Sequence, residues 1–452
     1  MNDNKTEITN DVLHHYRQEY SISKKNLPEG TASDLKHIRD DAMEFFLARG
    51  FPSAKEEEWR FTNIQLLART KFTMSPDSHS TENAGQLLER STINIPEART
   101  ILFINGRYIP HKSDGIEKNR DITFRSIRHA ISEDHPVFKQ HFTRMTGKPS
   151  GTIAALNTGL FADGIFLHIP DDTAVPEPFY FIFITKNDGI NSGTYPRNLI
   201  VTGRNSKVSI IEHYCSADKS AHLTNAVTEL YADAHSIVEH TKLQLENTNA
   251  FHFHSLHADQ RTGSRLFQNS VMVGGSIARN EIIARLDEEG AECTLNGLSL
   301  TAGKQLIDNH TAIDHSKPHC ESHQLYKAIL DGSSKGVFNG KIYVRKDAQK
   351  TDAKQTNKTL LLSDDATMNT KPQLEIFADD VKCTHGATIG YLDAEAIFYL
   401  RSRGISEVIA RDLLTYAFAN DIISKISNAH VREYLNHLIY TRLKQGRELK
   451  NI

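Results

Sequence analysis

Hydrophobic and polar positions change period twice along this chain. In residues 1–70 the period is helical. Leu35, Ile38, Ala42, Phe45 and Phe46 fall on one face of a helix that Ser33 can cap and Gly50-Phe51-Pro52 should end. Residues 71–98 are rich in Ser, Thr, Asn and Pro and read as a connecting loop. From about 100 to 391 the pattern is short apolar or alternating runs, the signature of strands: Ile101–Ile104 before the turn signal Asn105-Gly106, then Gly164–Pro170, Phe179–Ile184, Asn198–Thr202 and Val208–His213, continuing to Leu374–Phe377. From Asp393 helical spacing returns. Asp393 can cap Ala394–Arg401, with Gly404 as the stop. Ser406 can cap a helix presenting Val408, Ile409, Leu413, Leu414, Ala417 and Phe418, and a last helix carries Val431, Tyr434, Leu435, Leu438, Ile439 and Leu443. This divides the chain into an N-terminal helical unit with its loop (1–99), an all-β core (100–391) and a C-terminal helical unit (392–452).

The strand region has few stretches with a helical period, which argues for an all-β unit. Turns such as Ala232-Asp-Ala234, Glu289-Gly-Ala291 and Lys346-Asp-Ala348 place Ala234, Ala291 and Ala348 57 residues apart, and later marks at Asp364-Asp-Ala366 and Asp379-Asp-Val381 follow at 18 and 15. A period near 15–20, or a multiple of it, suits the coils of a parallel β-helix better than a sandwich of hairpins. Chance recurrence of Asp/Gly-Ala turns competes with that reading on equal terms.

Composition narrows the function classes. The 452 residues are 38% hydrophobic and 24% charged with a formal net charge of −3, a soluble globular balance that gives no sign of nucleic-acid or membrane binding. The start of the chain has no apolar signal core and no window approaches a membrane span, so a cytoplasmic protein is expected. Cys215, Cys293, Cys320 and Cys383 are too few and too widely spaced for a disulfide framework. The sequence contains no Walker loop, no G-x-S-x-G, no H-E-x-x-H and no C-x-x-C. The single tryptophan, Trp59, reads as a packing anchor.

What chemistry remains lies in histidine and cysteine. Twenty-three histidines include the runs His252–His257 and His310–His323, the latter also holding His315, His319 and Cys320. Imidazole and thiolate suit zinc, iron or copper, but neither run has finger-like spacing, and buried or surface hydrogen bonding accounts for both. The stretch Leu374–Gly390 is the most informative. In a strand, Val381, Cys383, His385, Ala387 and Ile389 point one way and Lys382 and Thr384 the other. A thiol beside an imidazole on a mostly apolar face is either a core pair or half of a metal site. Two ligands cannot hold a metal alone, so the rest would have to come from a neighbouring coil or another subunit. The broad apolar faces of the C-terminal helices pack on the core or serve as a docking surface for another protein.

Several blocks carry a family resemblance: Asn157–Gly164, Arg197–Val201, Glu212-His213, Asp314-His-Ser-Lys-Pro-His-Cys320, Phe338–Val344, Gln355-Thr-Asn-Lys358, and above all Ala378-Asp-Asp-Val-Lys-Cys-Thr-His-Gly-Ala-Thr388 running into Phe398–Gly404. From about Trp59 to the end, the chain resembles the SufD members of the SufB/SufD family of the SUF iron–sulfur cluster assembly system. A cysteine at 383 is unlike the Glu-His-Glu-Ala-Thr block of SufB. The resemblance implies a right-handed parallel β-helix flanked by helical units, and a scaffold subunit that is not itself an enzyme. It implies pairing with SufB through the β-helices and docking of the SufC ATPase on the C-terminal helices, through Phe398, Val408, Ile409, Leu413, Leu414 and Phe418. His385, with Cys383 beside it, would then help to ligate transient iron or a nascent cluster at the SufB interface, with no cofactor held stably by this chain alone and a homodimer possible without SufB. The competing readings are a SufB-like chain that holds the cluster itself, and a β-helix enzyme acting on polysaccharide. The latter would want secretion, an aromatic groove and paired carboxylates.

Overall fold

The chain is described here from a computed structural model, which places residues 2–28, 31–75, 84–110, 122–145, 151–187 and 191–450. Its core is a parallel β-helix. Strands alternate between two sheets: Leu223–Ala232, Phe251–Gln260, Ile277–Leu286, Leu306–His315, Lys335–Val344 and Thr367–Ile376 stack in one, and Ile237–Gln244, Arg265–Met272, Glu292–Thr301, Glu321–Leu330, Asp352–Leu361 and Lys382–Gly390 in the other. All these neighbours pair in parallel and in register. Successive register partners Leu223, Phe251, Ile277, Leu306, Lys335 and Thr367 lie 26–32 residues apart. One turn therefore holds two strands. The 57-residue recurrence of Ala234, Ala291 and Ala348 is two turns, and the 15-residue spacing is one strand with its bend.

Register turns single positions into columns, and the columns explain the fold. Facing the lumen, Val208, Val238, Leu266, Cys293, Ser322, Ala353 and Cys383 follow one another up the second sheet. All but the last are at most 1% exposed. Facing outward, Leu223, Phe251, Ile277 and Leu306 form an apolar stripe on the first sheet that ends at Lys335. That stripe is covered by Val12, Tyr16, Phe46, Leu67 and Phe72 of the N-terminal segments and by Leu156 from the helix Thr152–Leu160. On the second sheet the outward column Leu243, Val271 and Leu298 ends at Lys327 and is covered by the C-terminal helices Glu407–Ile423 and Ala429–Lys450, through Ala419, Ile422, Ile423, Leu435 and Ile439. The two helical units thus cover the outer faces of different sheets. Burying each such apolar side chain contributes about 1.5–3 kcal/mol.

The strands expected from apolar runs are present as Ile165–Ile169, Phe179–Thr185, Arg197–Thr202 and Lys207–Ser216. Asn105 and Gly106 (φ 49° and 75°) turn an antiparallel hairpin, as two residues with positive φ should. Gly50 (φ 70°) ends the helix Ser33–Arg49, but Ala32 is its cap residue and Ser33 is already helical. Asp393 and Ser406 do cap their helices, accepting from the backbone N–H of Glu395 and Ile409. Two stretches depart from the sequence expectation. Within 71–98, of which 76–83 lie outside the described residues, there is a short strand Thr73–Met74 and a helix Ala84–Ser91. Within the strand-rich region lie helices Ile127–Glu133, Pro136–His141 and Thr152–Leu160. The last is buried at every position, so it has no polar face to mark its period. Trp59 is a packing residue: its ring lies 6.2 Å from that of Phe253, with the Arg279 guanidinium 3.9 Å from its centroid. Among the described residues no helix is long and apolar enough to cross a membrane.

Candidate functional site at the open end of the solenoid

Both sheets end on a strand with one neighbour: Thr367–Ile376 beside Lys335–Val344, and Lys382–Gly390 beside Asp352–Leu361. Among the described residues nothing pairs with their outer edges, so each presents a row of backbone donors and acceptors. Around this end Ile376, Phe377, Ile389 and Tyr391 are 39–61% exposed. An unpaired edge ringed by exposed apolar side chains is the physical description of an interface.

Cys383 and His385 sit on this last rung. The face expected from strand alternation is the lumenal face. Cys383 tops the column of Val, Leu, Ser and Ala described above and packs in a cluster with Ala353, Ala378, Val381 and Leu374. His385 tops a second lumenal column, Ile210, His240, Gln268, Leu295, Gln324 and Gln355. In any lower turn both would be core residues. Here no further turn covers them: Cys383 is half-buried and His385 is exposed. Burial, and then the Asp352 carboxylate, push the Cys383 thiol up, so in the isolated chain it is protonated. Among the described residues no group of three His, Cys, Asp or Glu side chains converges as a metal site. At this end the chain presents an exposed imidazole and a half-buried thiol two residues apart on one face of the last strand.

The docking residues anticipated on the C-terminal helices divide. Phe398, Val408, Ile409 and Leu413 are 46–73% exposed, and Tyr399 and Tyr440 join them at 56% and 61%. Leu414 is half-buried. Phe418 turns to the solenoid instead: its ring lies 4.2 Å from the Lys327 ammonium, which also donates to the Phe418 carbonyl at 3.1 Å.

Apart from His257, which is buried with its Nε2 unpartnered among the described residues, the histidines of the two runs have structural partners. His252 and His254 share the lumenal face and serve two buried carboxylates. His252 Nδ1 is 2.7 Å from Glu246 Oε2, and His254 Nε2 is 3.6 Å from Glu212 Oε2, which also accepts from Tyr214 Oη at 2.7 Å. His240 Nε2 is 3.2 Å from Glu212 Oε1 and His222 Nε2 3.3 Å from Glu246 Oε1. Burial raises both carboxylates, but the neighbouring imidazoles outweigh it, first through hydrogen bonds at Glu212 and first through the charge of His252 at Glu246, and hold both well below the usual range. Burial pushes His254 down to about 3 and lowers His252 as well, whereas the hydrogen bond and charge of Glu246 outweigh burial at His222 and raise it. Lys242, enclosed in the same network and donating to Asn280 Oδ1 at 2.9 Å, is pushed by burial down to about 7. His310 bridges Asp308 (2.9 Å) and Glu58 (3.2 Å), joining the N-terminal segment to the solenoid. His315 is buried on Ser322 at 2.9 Å, whereas His319 and His323 are surface residues beside acids. Sequence reasoning missed Glu246 and Lys242, which carry no motif. Glu212 was visible only as part of the block Glu212-His213.

The sequence model of the SUF system FeS cluster assembly SufBD core domain matches residues 183–418, and that of the SufBD protein N-terminal region matches residues 10–180. The chain belongs to the SufBD family. It is 31% identical to a SufBD family iron–sulfur cluster assembly protein of Synechocystis sp., over 93% of this chain and 94% of the relative. It is 30% identical to the iron–sulfur cluster assembly protein SufD of Escherichia coli, over 89% and 92% of the two chains. A chloroplastic protein of Arabidopsis thaliana, ABCI7, is 27% identical over 89% and 85%. The resemblance to SufD is thereby borne out, as is the β-helix with flanking helices. The core match spans the solenoid from Phe183 through both columns that end at Cys383 and His385, and extends across most of Glu407–Ile423. This SufBD chain is thus a SUF-system assembly protein in which two strand edges, unpaired among the described residues, lie at one end with Cys383 and His385.

Proposed function

We propose that this chain is a non-catalytic, cytoplasmic subunit of the SUF scaffold. It pairs with a SufB partner through the open end of its β-helix, carries the SufC ATPase on its C-terminal helices, and contributes His385, with Cys383 beside it, to a shared site where iron enters and a nascent cluster is assembled. The observation that carries this reading is the open last rung: two strand edges, unpaired among the described residues, frame an imidazole and a thiol on which no third metal-ligating side chain of the described residues converges. A partner strand laid on either edge would satisfy its backbone groups and bring the missing ligands to His385. Iron accepts imidazole and thiolate, and a site split between subunits opens or closes when the subunits shift. Movement of ATPases docked on the exposed face Phe398–Leu413 supplies such a shift.

In this reading the iron or cluster is cargo, and the chain alone holds none stably. Against the reading in which this chain carries the cluster itself stand the other cysteines: burial pushes Cys215 and Cys293 up to about 12, where neither is a thiolate. His385→Ala should leave capture of the SufB and SufC partners unchanged in a pull-down from cells and lower the iron and acid-labile sulfide recovered with the complex. Undiminished cluster formation by that variant would sink the ligand assignment. A stable cluster on the chain alone after anaerobic reconstitution would instead favour the SufB-like reading, and in the absence of partner the open end would serve a homodimer.

A further inference from the structure

Directly beneath His385 in the sheet, in register with it, lies Gln355. Neighbouring strands lie ~4.8 Å apart, so the two side chains are stacked rungs of one lumenal column. Gln355 is 1% exposed, yet among the described residues neither its amide oxygen nor its amide nitrogen has a partner. Leaving a buried polar group unmatched is destabilising. Lower amides in the column fare better: Gln268 donates to Ser270 at 2.8 Å, and Gln324 accepts from Thr311 at 2.7 Å. The space Gln355 occupies is made for it. Gly340, on the facing strand, has no Cβ, and one built there would lie 2.3 Å from the Gln355 amide nitrogen. A glycine opposite a buried, unpartnered amide preserves a polar group where an apolar residue would fill the lumen at no hydrogen-bonding cost.

We propose that Gln355 is the positioning residue of the His385 site. When a partner closes the open end, the amide, unpartnered in the chain alone, takes a hydrogen bond with one imidazole nitrogen from inside the lumen, so the other nitrogen is turned outward to iron held by the partner's ligands. A ligating imidazole commonly has its second nitrogen fixed in this way, which sets the tautomer and the ring plane. The inference rests on the assignment of His385 as a ligand. It adds the residue that makes the imidazole directional, and it explains why a fully buried amide stands under an exposed histidine.

The test is made on the full chain in complex with its SufB partner, with only this chain labelled with 15N in its histidine rings and the His385 signals identified by their loss in His385→Asn. Gln355→Leu should move the His385 ring nitrogens toward the tautomer mixture of a free imidazole. Gln355→Glu, which keeps an acceptor in place, should restore the single tautomer. In cells Gln355→Leu should lower cluster formation on the order of 10-fold, with recovery in Gln355→Glu. Identical His385 ring signals in wild type and Gln355→Leu would overturn the proposal, as would a moved tautomer with undiminished cluster formation. His385→Ala distinguishes the two levels: if that variant also assembles clusters normally, it is the ligand assignment that fails.

Discussion

At the scale of single residues, the difference between Cys383 and His385 comes from the columns they end. Cys383 continues a series of small and apolar side chains and makes its contacts within a hydrophobic cluster. Its sulfur contributes packing on one side only. Cys383→Ala is therefore expected to cost no more than about 1 kcal/mol in urea unfolding, and to lower cluster formation less than His385→Ala does. His385 continues a column that carries an imidazole and three amides, and it ends in solvent. The pairing of the two residues was legible from alternation along the strand, because Cys383 and His385 are two apart. Their exposure was not, since a strand sequence does not state whether another rung lies above it. Gln355 was legible only as one residue of a motif. Its isolation follows from Gly340 on another strand, a relation that sequence spacing does not encode.

At the scale of elements, the terminal strands and the C-terminal helices each have one face committed to the molecule and one left over. Phe377 and Ile389, 56% and 46% exposed, flank the open end and make few demands on the fold. Phe377→Glu with Ile389→Lys should leave urea unfolding within about 0.5 kcal/mol of wild type. It should abolish capture of the SufB partner, read by size-exclusion chromatography with light scattering; retained capture would refute end-to-end pairing. On Glu407–Ile423, Ala410, Thr415, Ala419, Ile422 and Ile423 are buried while Val408, Ile409 and Leu413 face out. Val408→Glu with Leu413→Glu should remove ATPase binding in a pull-down with no change in Tm. Ala419→Glu, by contrast, should lower Tm sharply, because it places a carboxylate in a packed interface. The wide apolar faces of these helices were visible in the sequence. Which stripe of each meets the second sheet was settled by the outward column Leu243, Val271 and Leu298, and Phe418, apolar like its neighbours, is drawn inward by Lys327.

At the scale of the whole molecule, the solenoid encloses an unusual number of neutral imidazoles, and this sets its response to acid. Burial pushes His213 and His315 down to about 4 and His254 and His257 to about 3. Each folded value lies below the ordinary 6.5, so between pH 6.5 and about 4 the unfolded chain binds protons that the folded chain does not. Stability from these residues is present above pH 6.5 and falls as pH drops through that window, by up to ~1.4 kcal/mol per pH unit for each. Tm should accordingly fall between pH 7.5 and 5.5, and His315→Gln should shallow the slope by about one proton. A flat profile would show that these imidazoles are not buried as neutral groups. The alternating apolar runs, the hairpin at Asn105-Gly106 and the capped C-terminal helices were determined by the sequence itself, because each depends on neighbours within a turn or a strand. The period of the solenoid was half-legible, since turn residues recur while the strands between them differ. Tertiary structure alone decided that Leu374–Gly390 is an end. The spacing of Cys383 and His385 gives a shared face, and only the stacking of turns determines that this face is the last one, with paired strands below it and none above.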